Sequence, residues 1–180
     1  MNSMVFARSK ILIHDYCMEE KPVALTLNYN GPNPQLTVKK YIELLKLVFR
    51  VNDSEIQEKI FNWDRSGKEE KFEIEFELRK DLDKITYLFI QGVLNGTIKP
   101  SEEFGKEGNV RIRIRGAIRA EYPQDTIWQR SIVYEFFRVL YHKILYVNIW
   151  EKYMEDCRSM LRLFIEEMKS YLNLIQKAGV

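Results

Sequence analysis

A chain of 180 residues is long enough for one domain with a substantial core, and folding would bury roughly 70% of the surface its unfolded form exposes. Hydrophobic residues make up 46% and charged residues 30%, and 28 Lys and Arg against 26 Asp and Glu leave a formal charge of +2, too small to argue by itself for nucleic acid or an anionic membrane. Cys17 and Cys157 are too few for a disulfide-stapled scaffold and read as free thiols in a reducing cytosol.

Arg8 and Lys10 interrupt the opening run, so no secretory signal is expected and a cytoplasmic location follows. Two β-type stretches, 5–15 and 23–29, flank Glu19-Glu20-Lys21-Pro22 and read as a hairpin. After Asn33 and Pro34, the spacing of Val38, Tyr41, Ile42, Leu45, Val48 and Phe49 predicts a helix. A second, shorter helix is expected from Ser54, capped through Gln57, burying Ile56 and Ile60 and ending before Trp63.

The clearest strand is 72–78, where Phe72, Ile74, Phe76 and Leu78 alternate with Glu73, Glu75 and Glu77. Residues 85–94 are apolar on both faces and belong inside the sheet or beneath a helix. A charged loop is expected over 99–109. In 110–120, Val110, Ile112, Ile114 and Ile118 alternate with Arg111, Arg113, Arg115 and Arg119.

From 125 to 177 there is neither Gly nor Pro, and one apolar stripe steps by threes and fours from Val133 through Ile144, Val147 and Trp150 to Ile175. Two consecutive steps of three near Asn148 mark a kink, an overwound stretch or a break at 147–151. An unbroken helix would span roughly 75–80 Å, about twice the width of a compact domain of this size. The segment therefore folds back or lets its far half leave the body. The first half carries more apolar residues around its circumference and is expected to be the better buried.

Few residues offer chemistry. His14 and His142 are the only imidazoles; His14-x-x-Cys17 is half a metal site with no second pair, so no metal is expected. No Walker loop, dinucleotide fingerprint, nucleophile elbow or H-E-x-x-H occurs, so no cofactor and no catalytic residue is assigned. The four arginines of 110–120 could follow phosphates, but the three glutamates of 72–78 on the same side, on a neighbouring or next-neighbouring strand, point to a charge ladder, and stacking aromatics are missing, which disfavours nucleic acid.

The expected fold is α+β, one domain over 1–180: a curved antiparallel sheet packed against a long C-terminal helix, with two shorter helices after an N-terminal hairpin. This order of strands, two helices, antiparallel strands and a long terminal helix resembles the START-like helix-grip superfamily of lipid-transfer, polyketide cyclase and hormone-binding proteins. The resemblance implies a cavity for an apolar ligand between sheet and helix, lined by Phe72, Ile74, Phe76, Ile112 and Ile114 from the strands and Trp128, Phe137, Tyr141 and Ile144 from the gripping helix. The chain is thus expected to be a non-catalytic binding module for a small apolar or lipid-like molecule. Two other roles follow from the long segment: a homodimer seam along the 154–175 stripe, and a membrane-surface contact through the apolar face of 131–150.

Overall fold

In the computed structural model, residues 10–18 and 23–178 are described. The turn sequence at 19–22 and residues 5–9 of the first predicted strand lie outside them. Six strands form one antiparallel sheet: β1 (Lys10–Tyr16), β2 (Leu25–Pro32), β3 (Ile56–Asp64), β4 (Glu70–Asp81), β5 (Thr86–Ser101) and β6 (Gly105–Pro123). Their order is β1-β6-β5-β4-β3, with β2 also on β6. Helix α1 (Leu36–Phe49) follows β2. After β6 come a short 3-10 turn, α2 (Ile132–Leu140), a π turn (Tyr141–Leu145) and α3 (Val147–Ala178).

The two N-terminal strands, read as a hairpin, run in the same direction end to end along β6. β1 takes β6 residues 117–123 and β2 takes residues 107–114. The doubly apolar β5 lies between β4 and β6, the place its pattern calls for. It runs on to Ser101, and Ser101 pairs with Gly105, so most of the expected 99–109 loop is a continued hairpin.

The helix expected from Ser54 is instead a single 3-10 turn, Asp53–Glu55, followed by β3. The cap is real but shifted by two residues: Asn52 and Glu55 form the reciprocal capping box. Ile56 and Ile60, whose four-residue spacing suggests one face of a helix, are separated by a β-bulge between Glu58 and Ile60 and fall on opposite faces of β3. Beyond the bulge Phe61 and Trp63 oppose Ile74 and Phe72, and Ile60 is turned to the other face opposite Glu75.

One sheet face is packed and the other is wet. Phe72, Ile74, Phe76 and Leu78 of β4, Ile90 and Leu94 of β5, and Ile112, Ile114 and Ile118 of β6 are all buried under α1 and α3. Tyr41 of α1 contacts Phe164 of α3 edge-on at 5.1 Å and stacks on Phe76 at 5.9 Å. Two glycines allow this approach. A Cβ on Gly92 would lie 1.6 Å from the Tyr41 hydroxyl, and one on Gly116 would lie 2.9 Å from Leu161 Cδ1 and 3.1 Å from Cys157 Sγ.

Cys17 and Cys157 are joined by a disulfide, with Cα atoms 5.9 Å apart, which corrects the free-thiol reading and removes its support for a reducing compartment. The bond ties the end of β1 to the face of α3 that lies over Gly116, and Arg158 Nε donates to the Cys17 carbonyl at 2.9 Å beside it. It closes a sequence separation of 140 residues, for which chain entropy alone assigns about 5 kcal/mol. Reduction, or the double substitution Cys17→Ala/Cys157→Ala, should lower stability by about 3–5 kcal/mol. Thermal unfolding with and without reductant measures the loss.

Candidate interaction surface

The long C-terminal segment is divided by the π turn, in which Tyr146 N–H reaches back to the Tyr141 carbonyl at 2.9 Å, and by a bend at Tyr146. A π turn holds one more residue than an α turn and so rotates everything beyond it by about 100° relative to an unbroken helix. The irregularity expected near 147–151 therefore falls slightly earlier and is underwound, not overwound.

Beyond the turn, Trp150, Met154, Cys157, Leu161, Phe164, Ile165, Met168 and Leu172 are buried. The 154–175 stripe is thus largely spent inside the chain, with Tyr171 and Ile175 half-buried at its end. Before the turn the reverse holds, which overturns the expectation that the first half is the better buried. No residue of α2 is buried. Ile127 is 92% exposed, Ile132 89%, Leu145 69% and Phe137 60%, and Trp128, Val133, Phe136, Val139, Leu140, Tyr141, Ile144 and Ile149 are also exposed.

The nine residues assigned to a ligand cavity consequently separate into two groups. Phe72, Ile74, Phe76, Ile112 and Ile114 lie in the packed core, whereas Trp128, Phe137, Tyr141 and Ile144 stand on the exposed face. The structure does not bring the two groups together as one lining. The helix laid on the sheet is α3, with α1 beside it.

What holds the first half in this orientation is its polar side. Ser131 caps α2 by accepting from Tyr134 N–H at 3.1 Å. Arg138, paired with Glu135, lies over the ring of Tyr122 from β6, 5.2 Å from its centroid. His142 Nδ1 is 3.0 Å from the Tyr122 hydroxyl, and its ring meets Trp150 edge-on at 5.1 Å. The Tyr146 hydroxyl bonds to the carboxylate of Asp83 and lies 2.7 Å from Thr86 Oγ1. Asp83 also accepts from the amides of Ile85 and Thr86 at 2.9 and 2.8 Å, and Asp15 accepts from Trp150 Nε1 at 3.0 Å. On a helix, residues 138, 142 and 146 share one side, widened here by the π turn. That side points inward, so the apolar side points out.

The environment sets the charges of this root. Burial raises the Asp83 carboxyl, but the hydrogen bonds from Tyr146, the two amides and Tyr153 outweigh it and hold it below its ordinary value. Burial pushes the Tyr122 hydroxyl up to about 12. Burial, then the Arg138 charge, lowers His142, and Asp15 offsets this in part. Burial and Arg119 likewise lower His14, whose Nδ1 accepts from Arg119 Nε at 3.1 Å.

The arginine and glutamate strands are next-neighbours, with β5 between them, so their charges are bridged across one strand and not paired directly. Gln91 relays Arg115 to Glu75, Arg111 donates to Asn28, and Arg119 lies over Phe89 at 3.6 Å. The half metal site is not assembled, since Cys17 is in the disulfide. Among the described residues no helix is long and apolar enough to cross a membrane.

No protein-family model and no curated protein matches the chain. Solved structures align with it, two of them at low similarity as follows. One is a delta-endotoxin at 7% identity and a TM-score of 0.31, covering 58% of this chain and 63% of that one, so less than two thirds of its length is spanned. The other is a protein of unknown function from Staphylococcus aureus at 10% identity and a TM-score of 0.29, covering 93% and 96%.

Both imidazoles are held neutral, so between the ordinary value of 6.5 and the lowered folded values the unfolded chain binds more protons than the folded one. Stability should fall as pH drops through 6.5 and level off below the folded values. Denaturant midpoints from pH 7.5 to 5 should show this slope, and His14→Gln/His142→Gln should flatten it.

Proposed function

We propose that this chain is a peripheral membrane-associated protein that lies on a lipid surface through the face running from Ile127 to Ile149. The observation that carries the reading is the orientation of the segment before α3: Arg138 of α2 and His142 of the π turn meet Tyr122, Tyr146 at the bend bonds to Asp83 and Thr86, and the apolar side is left outside. Covering a half-exposed Leu, Ile or Phe gains about 1 kcal/mol, so covering eight of them gains about 8 kcal/mol before the cost of ordering. A second contact would have to supply that gain.

Lipid suits the shape and chemistry of this face. It is a convex rod one helix wide, which a fluid surface accepts at any register. Trp128 and Tyr141 lie on it, residue types that favour the headgroup boundary, and exposed Arg130 and Lys143 lie along the same segment for phosphates. An apolar ligand between sheet and helix has less support, because that layer holds Tyr41, Phe49, Leu161, Phe164 and Met168 packed on the strands.

Wild-type protein should float with vesicles of phosphatidylcholine, with or without phosphatidylglycerol. Phe137→Ser/Ile144→Ser, at two exposed positions, should weaken binding at least tenfold without lowering thermal stability. A wild type that fails to float, and instead sediments as a dimer that these substitutions dissociate, would make the same face a homodimer seam and overturn the lipid reading.

A further inference from the structure

We propose that His142 is an acid-operated latch: gain of a proton by its imidazole releases the segment 127–145 from β6 and frees it to turn into the lipid. The inference rests on the lipid-surface reading above and adds the regulation of that surface.

The segment is built to come away as a piece. None of its residues is buried, and its first half bonds to itself: Gln129 with Asp125 and Thr126, Arg130 with the Gln124 carbonyl, and Tyr134 with Ser131. Arg138 and His142, one turn apart, make the polar contacts that reach Tyr122 of β6. The π turn directly beyond them is the joint, because a helix bends where an extra residue interrupts its ladder.

His142 stands where the parts meet. Its Nδ1 is 3.0 Å from the Tyr122 hydroxyl, and its ring meets Trp150 of α3 edge-on at 5.1 Å and lies 5.6 Å from the ring of Tyr146. Tyr122 keeps its hydroxyl hydrogen across the neutral and acid range, since burial pushes it up to about 12. A neutral imidazole with its hydrogen on Nε2 accepts from that hydroxyl at Nδ1, whereas a protonated one has no lone pair left there. Protonation sets two donors against each other, and the contact persists only if the buried hydroxyl turns its hydrogen away from His142.

The groups around the ring set the direction. From α2, the Arg138 guanidinium lies over Tyr122 with its side chain only 8% exposed and opposes a second positive charge, an effect its pairing with Glu135 offsets in part. From β1, Asp15 favours the charge but already accepts from Trp150 Nε1 at 3.0 Å. Asp83, between β4 and β5, is taken by Tyr146 and the amides of Ile85 and Thr86, and α3 presents the uncharged Trp150. Burial and Arg138 prevail, so the docked imidazole holds a proton less well than a released one. As pH falls through 6.5 the released form is favoured, by up to about tenfold per pH unit for one proton, and the gain stops below the docked value.

Release changes what the lipid meets. Docked, the segment shows one side at the angle that β6 imposes. Freed, and still joined to β6 and α3 at its two ends, it lies in the plane of the surface with Phe136, Phe137, Ile144 and Leu145 turned into the acyl boundary.

The test uses the intact, disulfide-bonded chain. Amide hydrogen exchange, corrected for the intrinsic effect of pH, should show protection of 127–145 falling by about threefold or more from pH 7.5 to 5.5 while β4, β5 and β6 keep theirs. In His142→Gln, which offers Tyr122 an acceptor but takes no proton, that protection should stay constant; His142→Asn takes its place if the glutamine variant unfolds. His14→Gln should respond to acid as the wild type does. Flotation on phosphatidylcholine vesicles, whose zero net charge gives an added proton nothing to attract, should rise over the same range in the wild type and not in His142→Gln. Protection of 127–145 that ignores pH, or that falls equally in His142→Gln, would overturn the latch whatever the flotation shows. Flotation that stays constant while protection falls would overturn the regulatory link. A loss of protection that needs His142, with no flotation at any pH, would sustain the latch and overturn the lipid reading.

Discussion

The π turn at Tyr141–Leu145 governs how the C-terminal third of the chain spends its apolar residues. On an unbroken helix one stripe would face one way along its whole length. The extra residue in the turn and the bend at Tyr146 let Met154, Leu161 and Phe164 press onto the sheet while Phe137 and Ile144 face away from it. The turn is held in place by hydrogen bonds, from Tyr146 to Asp83 and Thr86 and between His142 and Tyr122. Polar groups in a partly buried setting are costly to leave unmatched, so these contacts fix the side of the helix that faces inward even though the apolar gain lies on the other.

The sheet and the exposed segment therefore have different energetics. The layer between β4–β6 and the two helices α1 and α3 is a conventional close-packed core, admitted by Gly92 and Gly116, where a side chain would collide with Tyr41 or Leu161. The segment from Ile127 to Leu145 has no buried residue and depends on a few directional bonds at its root. Such an element is drawn from the low-stability end of a fold, which suits a part that finishes its packing against something outside the chain.

Much of the architecture was legible in the residues. Alternation in 72–78 and 110–120 marked β4 and β6 with the correct buried faces, because a half-buried strand writes its two environments at period two. The doubly apolar 85–94 pointed to a central strand for the same reason. β3 was misread because a bulge at Glu58/Ile60 breaks that period and imitates a helical step. Periodicity also announced an apolar face on α2, but it carries no information about direction. That face was assigned to the core, and the inward-pointing signal lay in the polar residues Arg138, His142 and Tyr146, which helical spacing alone would have grouped. The Cys17–Cys157 bond had no local signature at all, since nothing in a separation of 140 residues reports proximity.

That bond also makes the chain a closed covalent circuit from the first strand to the terminal helix. A single proteolytic cut anywhere between residues 17 and 157, including in the exposed α2 segment, leaves two fragments still joined. Backbone integrity and molecular integrity thus become separate properties: cleavage alone opens the loop, and only cleavage with reduction parts the pieces.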